Sequence, residues 1–391
     1  MDRKPLLIRA LATISPLGAS KREVSDSLRR ATPKPSWLGE RAVFRLSESG
    51  EEALRNEAKQ SSKRSLDRAV LLALAAAKQT LGALSPEEQV QCVSIGSARG
   101  ATASLESTVL QHVRAEHPLS PETSPNTTAG GLTSWVAQEI CRNTAVGAGV
   151  AAVGTSMTCT SAFHSLLVAK AFIDSGMAER ALFGGTESCL TPYTLAQLSA
   201  LRIYSQEFTD YPCRPLFSSD QRVNSVVLGE GAGTALLCRD ESYREGDIAV
   251  IGIGWSLEAA PSATGISEDG AGFELAMQRA LLALPAGRSV DAVVLHAPGT
   301  AKGDSAELKA VQRLLGAVPV CTTKHLTGHT YGASGMVSLA MAQWLLEGGG
   351  WAGFPYPTAA TNCRFEHPRT VLVNTAGFGG NSISLVVASP S

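Results

Sequence analysis

Short aliphatic and β-branched runs alternate along this chain with longer Ala- and Leu-rich stretches of helical period. The runs at 6–14, 92–95, 181–183, 226–237, 248–255, 292–295, 318–321, 371–373 and 383–387 predict strands. Between them, 65–81, 131–141, 161–175, 273–284, 305–315 and 336–346 predict helices. Strands this short, separated by helices, belong to parallel α/β layers.

The order of elements repeats. Up to about residue 237 it runs strand, helices, strand, helix, strand, helix, two strands; from about 248 the same order returns. The two stretches share too little residue identity to establish duplication. The order alone suggests two pseudo-equivalent halves, with the charged segment 239–246 as the boundary between them. Segments 31–56 and 101–128 are polar or Pro-bearing and are expected as irregular surface excursions of the first half. The 161–175 stretch leaves almost no polar stripe, so it is expected to be buried nearly all round, with its N-terminal end at the bottom of a pocket.

Composition narrows the class. The chain has 391 residues, 44% hydrophobic and 18% charged, enough for two similar-sized halves or one large fused domain. A formal net charge of −1 and the absence of a basic stripe argue against nucleic acid. No apolar run approaches a membrane span, and the N-terminal stretch is too interrupted by charge for a signal peptide. The eight cysteines (Cys92, Cys141, Cys159, Cys189, Cys213, Cys238, Cys321 and Cys363) form no Cys-x-x-Cys pair and no zinc-spaced cluster. No metal and no cofactor are expected, and free thiols fit a cytoplasmic protein.

Cys159 is the candidate nucleophile. It sits where a β-branched run turns into the apolar helix, where unpaired N–H groups and the helix dipole are expected to lower its pKa. His296 and His329 follow in Gly-rich turns at strand exits. One thiol and two imidazoles so placed suggest acyl transfer through a thioester. Taken singly, each of these residues has a plainer reading, as a buried small hydrophobe or a turn histidine. His112, His117, His164, His325 and His367 keep that plainer reading, as do the other cysteines. The glycines of Gly229–Gly233 lead into a strand rather than opening a helix, so they are no phosphate cradle.

In order along the chain, the motifs resemble those of the β-ketoacyl-acyl-carrier-protein synthases, elongating Cys-His-His condensing enzymes of the thiolase superfamily. They are the Cys159 turn, Gly184-Gly185-Thr186-Glu187, Cys213-Arg214-Pro215-Leu216-Phe217 and Val227-Leu228-Gly229-Glu230-Gly231-Ala232-Gly233. His296 to Glu307, Thr323-Lys324 to Gly328-His329, and Asn374 to Gly380 complete the set.

The resemblance implies a thiolase-like α/β fold: two pseudo-equivalent βαβαβαββ halves, 1–240 and 247–391, in five α-β-α-β-α layers. It implies that Cys159 takes an acyl chain from the phosphopantetheine of an acyl-carrier protein. The N–H groups of Cys159 and Phe378 would form the oxyanion hole. His296 and His329 would stabilise the enolate left when a malonyl unit loses CO2. Lys324 would bias the histidine protonation and pair with Glu307, and Thr300 would touch the pantetheine arm. Phe378, between Gly377 and Gly379, would gate the acyl pocket.

This chain departs from the family pattern at Thr158, where alanine is usual, at Met157, at Pro298, where a threonine is usual, and at Asn224-Ser225-Val226. These imply a specialised acyl preference. A coenzyme A thiolase would need a second cysteine where Phe378 stands, and an initiating synthase an asparagine where His329 stands. A non-catalytic chain-length subunit would lack Cys159. By resemblance the protein is a homodimer, or a heterodimer with a chain-length-factor-like partner, serving fatty-acid, polyketide or aryl-polyene type synthesis.

Overall fold

The computed structural model describes residues 4–390 apart from 61–62, 86, 116, 144–148, 219–222, 260–261, 263, 361–364 and 366. Cys363 therefore lies outside the described residues.

The strands are β1 (Leu6–Ile14), β2 (Ser36–Leu38), β3 (Arg41–Phe44), β4 (Cys92–Gly96), β5 (Ala151–Ala152), β6 (Arg180–Glu187), β7 (Leu228–Gly229) and β8 (Gly231–Arg239). They continue with β9 (Ile248–Leu257), β10 (Ala292–Val294), β11 (Val320–Cys321), β12 (Thr370–Gly377) and β13 (Asn381–Ala388). Ten of them form one sheet in the order β11-β10-β12-β13-β9-β1-β8-β6-β4-β5.

This order contains the repeat. From β1 outward the sheet runs β8, β6, β4, β5; from β9 outward it runs β13, β12, β10, β11. The pairing senses match step for step. The first two contacts in each series are antiparallel and the last two parallel. The two series meet only where Leu7 and Ile8 of β1 pair with Ala249 and Ile248 of β9.

Helices Arg68–Gly82 and Gly131–Asn143 pack on the first series and Ala271–Leu281 on the second, with Ala301–Leu315 packed against Ala271–Leu281. Helices Ser161–Asp174 and Ser334–Leu346 lie between the two. The second of these is buried from Ser334 to Leu345, as its apolar character all round requires. The first is buried over Ser161–Phe163 but surfaces at Ala171, so the expectation of burial all round holds for its N-terminal part only.

Three expectations need correction. The segment 31–56 contains β3, whose Ala42, Val43 and Phe44 are buried, and most of helix Glu48–Ala58, capped by Ser47. Its polar residues are helix surface rather than loop. The segment 101–128 contains helix Thr102–Ala115, whose apolar residues Leu105, Val109, Leu110 and Val113 face outward. These four recur at helical spacing, a signal outweighed by the polar, Pro-bearing residues that follow in the same segment. The run 226–237 is two strands, because Glu230 turns aside between them. Its carboxylate takes Arg68, Ser188 Oγ and the N–H of Leu46. β7 accordingly joins β3 in a separate three-stranded sheet.

Candidate active site

Cys159 lies in a single 3₁₀ turn, Thr158–Thr160, that feeds helix Ser161–Asp174. Thr158 has a left-handed backbone (φ 49°). Ser161 Oγ holds the turn by accepting from the N–H of Met157 at 2.9 Å and donating to the carbonyl of Thr158 at 2.6 Å. Glycines on the neighbouring strands admit it. A Cβ at Gly96 would stand 2.3 Å from the Ser161 carbonyl oxygen, and one at Gly185 would stand 2.4 Å from that of Gly332. His164 turns back onto Thr160 and away from the thiol.

His329 follows the short helix Lys324–Thr327 and Gly328 (φ 61°). Its backbone is stitched to the strand beside it: its N–H donates to Val227 O at 2.7 Å and its carbonyl accepts from Gly229 N at 3.1 Å. Only glycine fits at 229, since a Cβ there would fall 1.9 Å from the Thr327 carbonyl oxygen. His296 leaves β10 in the segment that ends at Thr300. Two carboxylates from helix Ala301–Leu315 hold that segment. Glu307 accepts from the N–H groups of His296 and Ala297, both at 2.8 Å, and from Asn374 Nδ2. Asp304 accepts from those of Gly299, Thr300 and Leu216.

These turns bring the three reactive side chains together. His329 Nε2 is 3.0 Å from Cys159 Sγ. The His296 ring meets the His329 ring edge-on, centroids 5.1 Å apart. Tyr331, with φ 43°, stacks on the other side of His329 at 5.1 Å and 28°. All four face one cleft, with Thr300, Glu307, Gly377 and Phe378 also on its walls. Lys324 is buried behind it, and Gly379 takes the left-handed conformation (φ 87°) one residue past Phe378.

Electrostatics differ from expectation at the thiol. Burial, reinforced by the buried carboxyl of Glu187, pushes Cys159 up to about 12, where a depressed value was expected. Burial, with Lys324 nearby, drives both His296 and His329 well below their ordinary range, so both are neutral. Lys324 itself is pushed down to about 8 by burial, against the opposing pull of Glu307. The expected Lys324–Glu307 pair is not a direct contact, because the Glu307 oxygens are taken up by the His296 segment and Asn374.

Three neighbours of the site had no role in the sequence reading. Glu187 collects Ser97 Oγ and the N–H groups of Ala98, Arg99 and Gly332. Asn374 steadies Glu307, and Tyr331 backs His329. Glu187 and Asn374 stood inside quoted motifs; Tyr331 was marked only by lying two residues after His329 in a Gly-rich turn.

The chain matches the beta-ketoacyl synthase N-terminal domain over residues 7–242 and the C-terminal domain over residues 248–353. It belongs to the β-ketoacyl synthase family. It is 30% identical to 3-oxoacyl-[acyl-carrier-protein] synthase 2 of Vibrio cholerae over 262 residues, 60% of this chain and 61% of that one. The match thus spans less than two thirds of that relative's length. It is 29% identical to the tetracenomycin polyketide synthase ketoacyl synthase alpha subunit of Streptomyces glaucescens, over 83% of this chain and 82% of the relative. A solved structure described as the ishigamide ketosynthase/chain length factor superimposes over 100% of both chains with a TM-score of 0.85 at 20% identity. At that identity the likeness is one of fold. The site brings together one thiol and two neutral imidazoles. No metal-binding cluster of His, Cys, Asp or Glu occurs among the described residues.

Proposed function

We propose that this chain catalyses decarboxylative Claisen condensation: an acyl group held on Cys159 is joined to malonyl-acyl-carrier protein to give 3-oxoacyl-acyl-carrier protein. The observation that carries this reading is the 3.0 Å contact of His329 Nε2 with Cys159 Sγ, with His296 against the same ring in one cleft.

A thiol held near 12 is protonated at rest, so its proton leaves as the sulfur attacks the incoming thioester. Neutral His329 is the acceptor within reach. The N–H groups of Cys159 and Phe378 receive the oxyanion. The proton then passes to the departing phosphopantetheine thiolate. Once Cys159 is acylated no S–H remains, and the malonyl thioester carbonyl lies between His296 and His329. His296 Nδ1 and His329 Nδ1 have no hydrogen-bond partner, so neither ring is locked in one tautomer: His329 accepts the thiol proton at Nε2 as its Nδ1–H form, and shifts to the Nε2–H form to donate, with His296, to the malonyl carbonyl. The C–C bond to the carboxylate breaks, CO2 leaves, and the electron pair becomes an enolate under those donors. Its carbon attacks the acyl-Cys159 carbonyl and Cys159 departs as thiolate. Lys324 and Glu307 act through the histidines. Thr300 meets the pantetheine arm, and Phe378 gates the cleft between Gly377 and Gly379.

The partner in turnover is an acyl-carrier protein, in fatty-acid, polyketide or aryl-polyene type synthesis in the cytoplasm; no free cofactor is needed. Residues 1–240 carry the nucleophile and 247–391 both histidines. No helix among the described residues is long and apolar enough to cross a membrane. The protein assembles as a homodimer, or with a chain-length-factor-like subunit. The outward apolar residues of helix Thr102–Ala115 and the open sheet edge at β5 support a paired state. The test is intact mass after incubation with a panel of acyl-carrier proteins, beside Cys159→Ala. One acyl group gained, and lost in the variant, supports the reading. No acylation by any chain, with or without a co-purified partner, removes it.

A further inference from the structure

We propose that Thr158 is a positioning residue that latches the Phe378 loop over Cys159, an inference that rests on the gating role given to Phe378 above. A β-branched residue with φ 49° is unfavourable in itself, so something in the surroundings holds it there. Its hydroxyl points at the loop: Thr158 Oγ1 donates to the carbonyl oxygen of Phe378 at 3.4 Å. Gly377 lies against the same hydroxyl. A Cβ at 377 would stand 2.0 Å from Thr158 Oγ1 and 3.1 Å from Cys159 N. The residue that precedes the nucleophile therefore touches the two residues that open the gate.

The loop is built to move between fixed ends. Gly379 and Gly380 are both left-handed, at φ 87° and 78°. The far end is pinned, because the N–H of Glu258 donates to Gly380 O at 3.0 Å. At the near end Gly377 is paired with Asn381 across the hairpin, while Phe378 O itself accepts two long hydrogen bonds, from Thr158 Oγ1 and from Asn381 Nδ2, each 3.4 Å. Bonds of that length are weak and release readily. Asn381 travels with the loop's own hairpin, so Thr158 is the tie to the nucleophile turn. Lifting Phe378 breaks that tie and exposes the sulfur; closing restores it and returns the Phe378 N–H to the thioester.

The test compares the full-length protein with Thr158→Val and Thr158→Ser. Valine keeps the branched shape without the donor; serine keeps the donor without the branch. The readout is the rate at which iodoacetamide modifies Cys159, followed by the mass of its peptide, alongside the melting temperature. Thr158→Val reacts at least threefold faster than wild type, by the same factor at pH 7 and pH 9, because access rather than thiolate fraction has changed. Thr158→Ser stays near the wild-type rate. Thr158→Val within error of wild type, or Thr158→Ser as fast as Thr158→Val, overturns the latch. If Thr158→Val does not fold, Thr158→Ala takes its place. Alkylation needs no acyl substrate. Failure of wild type to acylate from any carrier protein would thus strike the proposed reaction, while the alkylation ratio still decides the latch.

Discussion

His329 Nε2 and Cys159 Sγ are 3.0 Å apart across 170 residues of chain, whereas His296 packs against the His329 ring and, among the described residues, makes no hydrogen bond to the thiol. The two imidazoles are therefore unequal. In the proposed reaction both serve the enolate, and His329 is the one placed to take the thiol proton.

This inequality predicts separable defects. His329→Ala slows acylation of Cys159 and condensation alike, each by roughly 10²–10⁴-fold, the usual worth of a positioned acid–base group. His296→Ala leaves acylation within a few-fold of wild type and loses condensation by a similar factor. Single-turnover acylation read by intact mass, beside CO2 release from malonyl-acyl-carrier protein, separates the steps. Equal loss of acylation in both variants would contradict the assignment.

The pH profile follows from the buried thiol. With Cys159 pushed up to about 12, the thiolate fraction grows about tenfold per pH unit across the neutral range. Iodoacetamide modification of Cys159 should rise with that slope from pH 6 to pH 9 and show no plateau. A plateau near pH 7 would mean that the helix N-terminus outweighs burial after all.

That point marks where sequence reasoning stopped. The strand and helix order was legible because each β-branched run and each apolar helix carries its own period. The candidate residues Cys159, His296 and His329 could be picked out because each stands in a motif recognisable despite the departures at Met157, Thr158 and Pro298, and the structure gathers them in one cleft. The thiol's environment was not. It depends on Glu187, which lies 28 residues away along the chain and reaches Cys159 only through the packing of β6 against the Gly332 turn. Helix Thr102–Ala115 was missed although Leu105, Val109, Leu110 and Val113 recur at helical spacing, because the polar, Pro-bearing residues 117–128 dominate the segment. Lys324 and Glu307 act on each other through charge but not by direct contact, because the Glu307 oxygens are taken by the N–H groups of His296 and Ala297 and by Asn374.

Glu187 itself is testable. Burial raises it from 4.5 to about 7, against the pull of four donors. A carboxyl raised on folding adds stability that is complete below its unfolded value and is lost as pH rises through the folded one, here between about 4.5 and 7. Glu187→Gln removes that slope. It also turns an amide NH2 toward backbone donors, so it costs roughly 1–3 kcal/mol. Urea unfolding at pH 5 and pH 7.5 checks both statements. Removing the charge also lowers the Cys159 pKa, so alkylation at pH 8 should be faster than in wild type. Unchanged alkylation would show that Glu187 does not reach the thiol.

A charged knot holds the joint between the two strand series. Arg9 of β1, its side chain 4% exposed, binds Asp247 through Nε at 3.1 Å and Nη2 at 2.7 Å, and Asp240 through Nη1 at 3.1 Å. Glu88 lies 3.7 Å away and is shared with Arg244. Asp240 and Asp247 flank the segment that leads from β8 to β9, so Arg9 fixes that crossing at the place where the series pair over only two residues. Arg9→Leu leaves three carboxylates around an apolar stub and should cost roughly 3–5 kcal/mol in urea unfolding, the usual penalty for breaking a buried pair from one side. Asp247→Leu should cost less, because Arg9 keeps Asp240 and Glu88. The double variant should cost less than the sum of the two. Loss of under 1 kcal/mol in Arg9→Leu would mean that hydrogen bonding of β1 to β8 holds the joint without the charges.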